Sequence, residues 1–254
     1  MANKILIVGN WKMNPLDPEA AKAIARKTRT TAADLRRTEV VACPPIVFAS
    51  LIMPRDKAVH FSVGAQTVSM HESGAHTGEV SALMLKELGL THVIVGHSEE
   101  RAAGLTDEMV AKRILAVLSA GLTPILCVGE AVRDDNGSYF DHVKIQLKAS
   151  LAGVTQKSAN DIVVAYEPVW AIGAAAAMQP EQIREMAIFI KKVYSDLYGS
   201  AAGLKAAVLY GGSVNYTNAA EIVSLGQVDG LLVGRESVNP RGFADLLKSV
   251  DAVS

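Results

Sequence analysis

The chain has 254 residues, 50% of them hydrophobic, a formal net charge of −1 and two cysteines. No run reaches the roughly 18 unbroken apolar residues of a transmembrane helix, and no long basic block invites nucleic acid or an anionic membrane surface. Two cysteines, Cys43 and Cys127, each near an apolar run, are poor material for a disulfide framework, so a reducing, cytoplasmic compartment is expected.

From the N-terminus, Met1-Ala2-Asn3-Lys4 leads straight into Ile5-Leu6-Ile7-Val8 without a small-residue cleavage site, so no secretory leader is expected. Short apolar runs predict strands near 4–9, 39–43, 59–64, 91–96, 122–127, 161–167, 206–210 and 228–233. Amphipathic stretches lie between them. Asp17 is a predicted N-cap, with Pro18 at the first helical position. Thr106 caps a second helix, and Asp107 and Glu108 favour the positive end of its dipole. From Pro180 to Tyr198, the residues Ile183, Met186, Ala187, Ile190 and Tyr194 recur at helical spacing and give one apolar face. Gly137-Ser138 and Gly199 to Gly203 read as surface turns, too short to divide domains. Alternating strands and helices predict an α/β fold with a parallel sheet, which right-handed crossovers can close into a barrel. An open doubly wound sheet is the alternative, but its G-x-G-x-x-G fingerprint is absent after the first strand. One (β/α)8 barrel domain over residues 1–254 is therefore expected.

The expected strand ends carry the polar residues. The first ends in Gly9-Asn10-Trp11-Lys12-Met13-Asn14, the fourth in Gly96-His97-Ser98-Glu99, and the sixth in Tyr166-Glu167-Pro168. The seventh ends in Tyr210-Gly211-Gly212-Ser213 and the eighth in Gly234-Arg235. In barrels, loops after strands seven and eight with a short helix N-terminus recur as phosphate sites. Each residue alone has an ordinary reading: Lys12 as a surface charge, His97 as a structural histidine, Glu167 as a strand cap. Their joint occurrence at separate strand ends points to an active site at the barrel mouth.

Through these motifs, together with Gly64-Ala65-Gln66 and Pro168-Val169-Trp170-Ala171-Ile172-Gly173, the chain resembles the triosephosphate isomerase family from end to end. The resemblance implies a TIM barrel, a cytoplasmic homodimer and interconversion of dihydroxyacetone phosphate with D-glyceraldehyde 3-phosphate through an enediolate. It makes Glu167 the base, His97 the electrophile and Lys12 a fixed positive charge, with Asn10 as a further donor. Backbone N–H groups of Gly173, Ser213, Gly234 and Arg235 would grip the phosphate. The family is a standard illustration of a histidine kept neutral by a helix N-terminus, and Ser98-Glu99-Glu100-Arg101 would supply that turn. By the same resemblance, residues 168–173 begin a lid that closes over substrate. Glu130 accepts the Trp170 indole in the open lid, Ser98 holds Glu167 aside, and Glu99 is a buried carboxylate paired with Lys12. Trp170 also has a plain reading as a packing aromatic, and Cys127 as a packing residue near Glu130. The long polar segment Gln66 to Glu79 would insert into a second subunit, with Thr77 near that subunit's Asn10 and Lys12. No metal or organic cofactor is expected, because the reaction moves only protons.

Several positions depart from the family pattern. The second half of the lid reads Ala174-Ala175-Ala176-Ala177-Met178-Gln179, so altered lid motion is expected, with Met178 bulky where the lid meets Tyr210. Arg235 replaces a common glycine, and its side chain has three candidate orientations: solvent, Glu236 or the phosphate. Glu100 and Leu105 replace a basic and an acidic residue and are candidates to compensate each other. Lys191 stands where an arginine usually faces the position of Asp229. Thr67 and Met70 replace the usual Asn and Trp of the dimer segment. An active isomerase is the leading reading, beside a phosphosugar-binding barrel without turnover and a different phosphate-using barrel enzyme.

Overall fold

The apolar runs form eight parallel strands that close on themselves in sequence order, β1 through β8, with β1 paired to β8. They are β1 (Ile5–Asn10), β2 (Thr38–Cys43), β3 (Phe61–Ala65), β4 (His92–Val95), β5 (Thr123–Val128), β6 (Val163–Tyr166), β7 (Ala207–Tyr210) and β8 (Gly230–Val233). This is a computed structural model, and it describes residues 4–54, 60–173 and 177–253. Position 59 of the third expected strand and Ala174, Ala175 and Ala176 of the expected lid lie outside the described residues.

Alternation along each strand divides the core into two layers, because successive side chains point to opposite faces of a strand. Val8, Val41, Ile94, Ile125, Val163, Ala165, Leu209 and Leu232 fill the barrel interior with Cys43 and Cys127. Ile7, Val40, Val93, Val164 and Tyr166 face outward against the helices. The helices are started by the expected signals. Asp17 accepts the Ala20 N–H at the head of Pro18–Ala33, and Thr106 accepts the Met109 N–H ahead of Asp107–Ser119. The helix Pro180–Tyr198 buries Ile183, Met186, Ala187, Ile190 and Tyr194, as its spacing predicts.

Two expected turns are helix starts: Gly137, left-handed at φ 76°, is the N-cap of Ser138–Ser150, and Gly199 is followed by the helix Ser200–Lys205. Two alanines and Leu204 favour that conformation once Gly199 has ended the previous helix. The new helix then folds back on Pro180–Tyr198. Gly203 allows the approach, since a β-carbon there would lie 2.6 Å from the Lys191 carbonyl oxygen.

Candidate active site

The strand alternation that fills the barrel also aims Glu167. Val163 and Ala165 point inward, and Glu167 is next in step, just past β6, with 4% of its surface exposed. Its backbone N–H donates to the Val128 carbonyl at 2.8 Å, which fixes it to the end of β5. That crossing leaves no room beside it: a β-carbon on Gly129 would fall on the Glu167 carbonyl group. Cys127 lies within β5 rather than after it, fully buried against Glu167, and burial pushes its thiol well above the ordinary range. It is a packing residue.

His97 caps the short helix Ser98–Ala102 and is 5% exposed. Its Nδ1 accepts the Glu99 backbone N–H at 3.2 Å, so in the neutral ring the proton sits on Nε2. Nε2 lies 3.2 Å from Glu167 Oε1. Burial alone would depress the imidazolium, but the hydrogen bond and charge of Glu167 outweigh it and raise the histidine above its usual pKa. The expectation of a histidine held low by the helical turn is therefore opposed wherever the carboxylate faces the ring. The expected Ser98–Glu167 contact is absent among the described residues. Glu167 turns to His97 instead, and its Oε2 has no hydrogen-bond partner among those residues.

Lys12 lies in the left-handed region at φ 52°. A non-glycine residue there costs about 1–2 kcal/mol, so the surroundings must hold it. The Asn10 side-chain oxygen accepts the Lys12 N–H at 3.1 Å, and Gln66 Nε2 donates to the Lys12 and Cys43 carbonyls at 2.8 and 2.9 Å. Gln66 thus spends its amide inside its own chain. Lys12 Nζ pairs with Glu99 Oε1 at 2.5 Å, as expected, yet the Glu99 side chain is 61% exposed rather than buried. The carboxylate lies on the outer side of the ammonium, and the pairing lowers its pKa against the desolvation that would raise it.

These groups surround one cavity of about 770 Å³. Asn10, Lys12, His97 and Glu167 line it, together with Gly173, Ser213, Gly234 and Arg235. All eight residues expected to meet substrate are therefore brought together. Arg235–Val238 forms a short 3-10 helix headed by Gly234. Arg235 is exposed at the rim and makes no ion pair among the described residues, while Glu236 accepts from Asn239 at 3.0 Å. The solvent orientation holds, and among the described residues the Glu236 pairing does not form.

Both described ends of the lid are docked. Trp170 lies in a 3-10 turn, Val169–Ala171, and its indole donates to Glu130 at 2.9 Å. Ser213 Oγ donates to the Ala171 carbonyl at 2.9 Å. At the far end the Met178 N–H donates to Tyr210 OH at 3.1 Å. The expected Trp170–Glu130 bond and the Met178–Tyr210 bond are both present. Met178 is 3% exposed and is accommodated rather than obstructive.

The departures nearby are also settled by contacts. Glu100 accepts from Arg113 at 2.7 Å and Thr67 at 2.6 Å, and Leu105 is buried, its N–H donating to the Glu100 carbonyl at 3.0 Å. Lys191 meets Asp229 at 2.9 Å. The segment Gln66 to Glu79 has no helix or strand, and Thr77 is exposed. Within it, Ser69 hydrogen-bonds Glu79, and His71 and His76 stack with centroids 3.7 Å apart. The sequence reading missed Gly129, whose only signal is a glycine at a strand end, and Arg133, the cation beside Glu130 at 3.9 Å.

A sequence model described as triosephosphate isomerase matches residues 5–250. A protein named triosephosphate isomerase from Acetivibrio thermocellus is 40% identical over 251 residues, covering 98% of this chain and 99% of the relative. One of the same name from Thermus thermophilus is 40% identical over 247 residues, covering 96% and 98%. Another from Endomicrobium trichonymphae is 38% identical over 247 residues, again covering 96% and 98%. With these matches spanning the barrel and every strand end that lines the cavity, the chain belongs to the triosephosphate isomerase family.

Proposed function

We infer that the protein interconverts dihydroxyacetone phosphate and D-glyceraldehyde 3-phosphate by moving a proton between adjacent carbons, the activity of its family in glycolysis and gluconeogenesis. The observation that carries the residue assignment is Glu167 Oε1 facing His97 Nε2 at 3.2 Å on the floor of a cavity whose rim holds Lys12. Glu167 acts as the base: its Oε2 is buried without a hydrogen-bond partner among the described residues and is available to a substrate C–H. Once substrate separates the ring from Glu167, which raises its pKa in the free site, His97 in its neutral form presents Nε2–H to the substrate oxygens, since Nδ1 is occupied by the Glu99 N–H. Lys12 and Asn10 offset the charge that develops on the enediolate, as groups fixed in advance do at low reorganisation cost. The N–H groups of Gly173, Ser213, Gly234 and Arg235 bind the phosphate dianion. Glu99, Glu130, Trp170, Ser98 and Tyr210 serve as supports, Ser98 as the first residue of the turn that follows His97. The chemistry needs no metal or cofactor.

The same reading makes residues 1–254 one barrel domain working as a cytoplasmic homodimer, with Gln66 to Glu79 reaching the second copy. No helix among the described residues is long and apolar enough to cross a membrane. The test of function is an assay with glyceraldehyde 3-phosphate beside a Glu167→Gln variant as control for contaminating enzyme. Turnover in the parent and its loss in the variant is the expected result, and equal rates in both defeat the assignment.

A further inference from the structure

Arg133, in the irregular segment after β5, ties the first hinge of the lid to the helix that follows the lid through one line of charges. Glu130 is almost fully buried, at 2% side-chain exposure, and receives Tyr166 OH at 2.9 and 3.0 Å and the Trp170 indole at 2.9 Å. A buried carboxylate is costly without a counter-charge. Among the described residues the cation within 4 Å is Arg133, whose Nη1 lies 3.9 Å from Glu130 Oε1. The same guanidinium turns its Nη2 to Glu185 Oε2 at 2.9 Å and to Tyr139 OH at 3.2 Å, and its Cζ lies 4.1 Å from the centre of the Tyr139 ring. Glu185 stands in the second turn of Pro180–Tyr198, the helix that starts where the lid ends. Trp170, Glu130, Arg133 and Glu185 therefore run from the first hinge of the lid to the helix that begins just after it.

Two features separate this arrangement from an ordinary surface ion pair. The Arg133 side chain is only 14% exposed, and ring stacking fixes its plane, so little side-chain freedom remains to be lost. Its Nη1 also has no hydrogen-bond partner among the described residues, and so faces Glu130 through charge alone. We propose that Arg133 is a positioning residue for the lid, supplying the counter-charge that keeps Glu130 aimed at the Trp170 indole and tying that latch to Glu185. The catalytic consequence rests on the isomerase reading above; the latch itself does not, because Trp170 reports it directly.

The experiment uses the full chain with Arg133→Met, Arg133→Lys and Glu185→Gln. Trp170 emission is followed with and without inorganic phosphate, a Trp170→Phe protein removing the Trp11 background, and kcat and KM are measured with glyceraldehyde 3-phosphate. Arg133→Met should raise the half-saturating phosphate concentration by about fivefold, within the range by which residues outside a site modulate its coupling. It should also flatten the Trp170 response and raise KM more than it lowers kcat. Arg133→Lys should recover part of the response, since an ammonium keeps the charge but not the stacked, two-sided fork. A Trp170 response and KM equal to the parent's in Arg133→Met overturn the proposal. If that variant fails to fold, unchanged responses in both Arg133→Lys and Glu185→Gln overturn it equally. A protein without turnover in which Arg133→Met still alters the Trp170 response would retain the latch and lose the isomerase reading.

Discussion

Arg235 shows how a side chain can change while the function of its backbone is kept. Its family counterpart is commonly glycine, yet Arg235 does not have the positive φ that favours glycine, and its N–H stands at the head of a short 3-10 helix on the cavity rim. The side chain bonds to nothing among the described residues. Arg235→Gly should therefore leave stability within about 0.5 kcal/mol of the parent, as surface substitutions do, and leave kcat unchanged. The long-range charge should appear in KM alone, with a modest rise at low salt that disappears at high salt. A fall in kcat would mean that the guanidinium touches the reacting groups. Lys12, His97 and Glu167 were legible in the sequence because each stands beside a strand-ending apolar run, where a barrel places its mouth. The exposure of Glu99 and the turn of Glu167 toward His97 were not, because both depend on which partner a side chain selects among several within reach. Arg133 left no signal because an irregular loop has no periodicity to betray which way a side chain points.

Among the elements, the lid joins sequence pattern and packing most closely. Met178 is bulky where the lid meets Tyr210, and it is held there: its N–H reaches Tyr210 OH and its sulfur lies 3.9 Å from Tyr166 OH. It anchors the docked end. Met178→Ala should weaken docking, because segments of this kind open locally. The expected result is roughly a fivefold loss of phosphate affinity, equivalent to about 1 kcal/mol, beside a lower denaturant midpoint from the lost packing of a buried side chain. A shifted midpoint with unchanged phosphate affinity would identify Met178 as an ordinary core residue. Strands and long helices were legible through their periods of two and 3.6 residues. Residues 199–203 misled because glycines at both ends suggest a turn, whereas contact with Lys191 and Ser195 makes the second glycine a packing position.

Two properties belong to the molecule as a whole. At the start of β4, burial depresses His92 to about 4, against the opposing pull of Glu39. Between that value and the ordinary histidine range the unfolded chain binds a proton that the folded chain refuses, so stability should fall as pH drops through this window. Glu39, whose pKa is lowered by its bonds to Lys4 and His60 despite burial, adds a loss in the same direction at lower pH. His97, raised by Glu167, acts oppositely, losing its contribution as pH rises through its folded value. Urea unfolding at pH 7 and pH 5 for the parent and His92→Gln isolates the first effect. The parent should lose more stability than the variant on acidification, and equal losses would remove His92 from the account. The second property is assembly. Met13 and Leu16 follow β1 and are 86% and 91% exposed; Val47 follows β2 and is 70% exposed; the segment from Gln66 to Glu79 follows β3. These three strands are neighbours in the barrel, so the exposed apolar loops occupy one sector of its mouth, beside Lys12 and the half-open Glu99. Apolar surface gathered in this way is what an association face requires, and under the homodimer reading proposed above a second copy's Gln66–Glu79 segment would cover these exposed apolar residues and the Lys12–Glu99 pair. Sedimentation at micromolar concentration should find a dimer. Val47→Glu should shift it toward monomer, with turnover falling in step as the Lys12 loop loses its cover. A parent protein that sediments as a monomer at full activity would show that the Lys12 loop holds its φ of 52° through Asn10 and Gln66 alone.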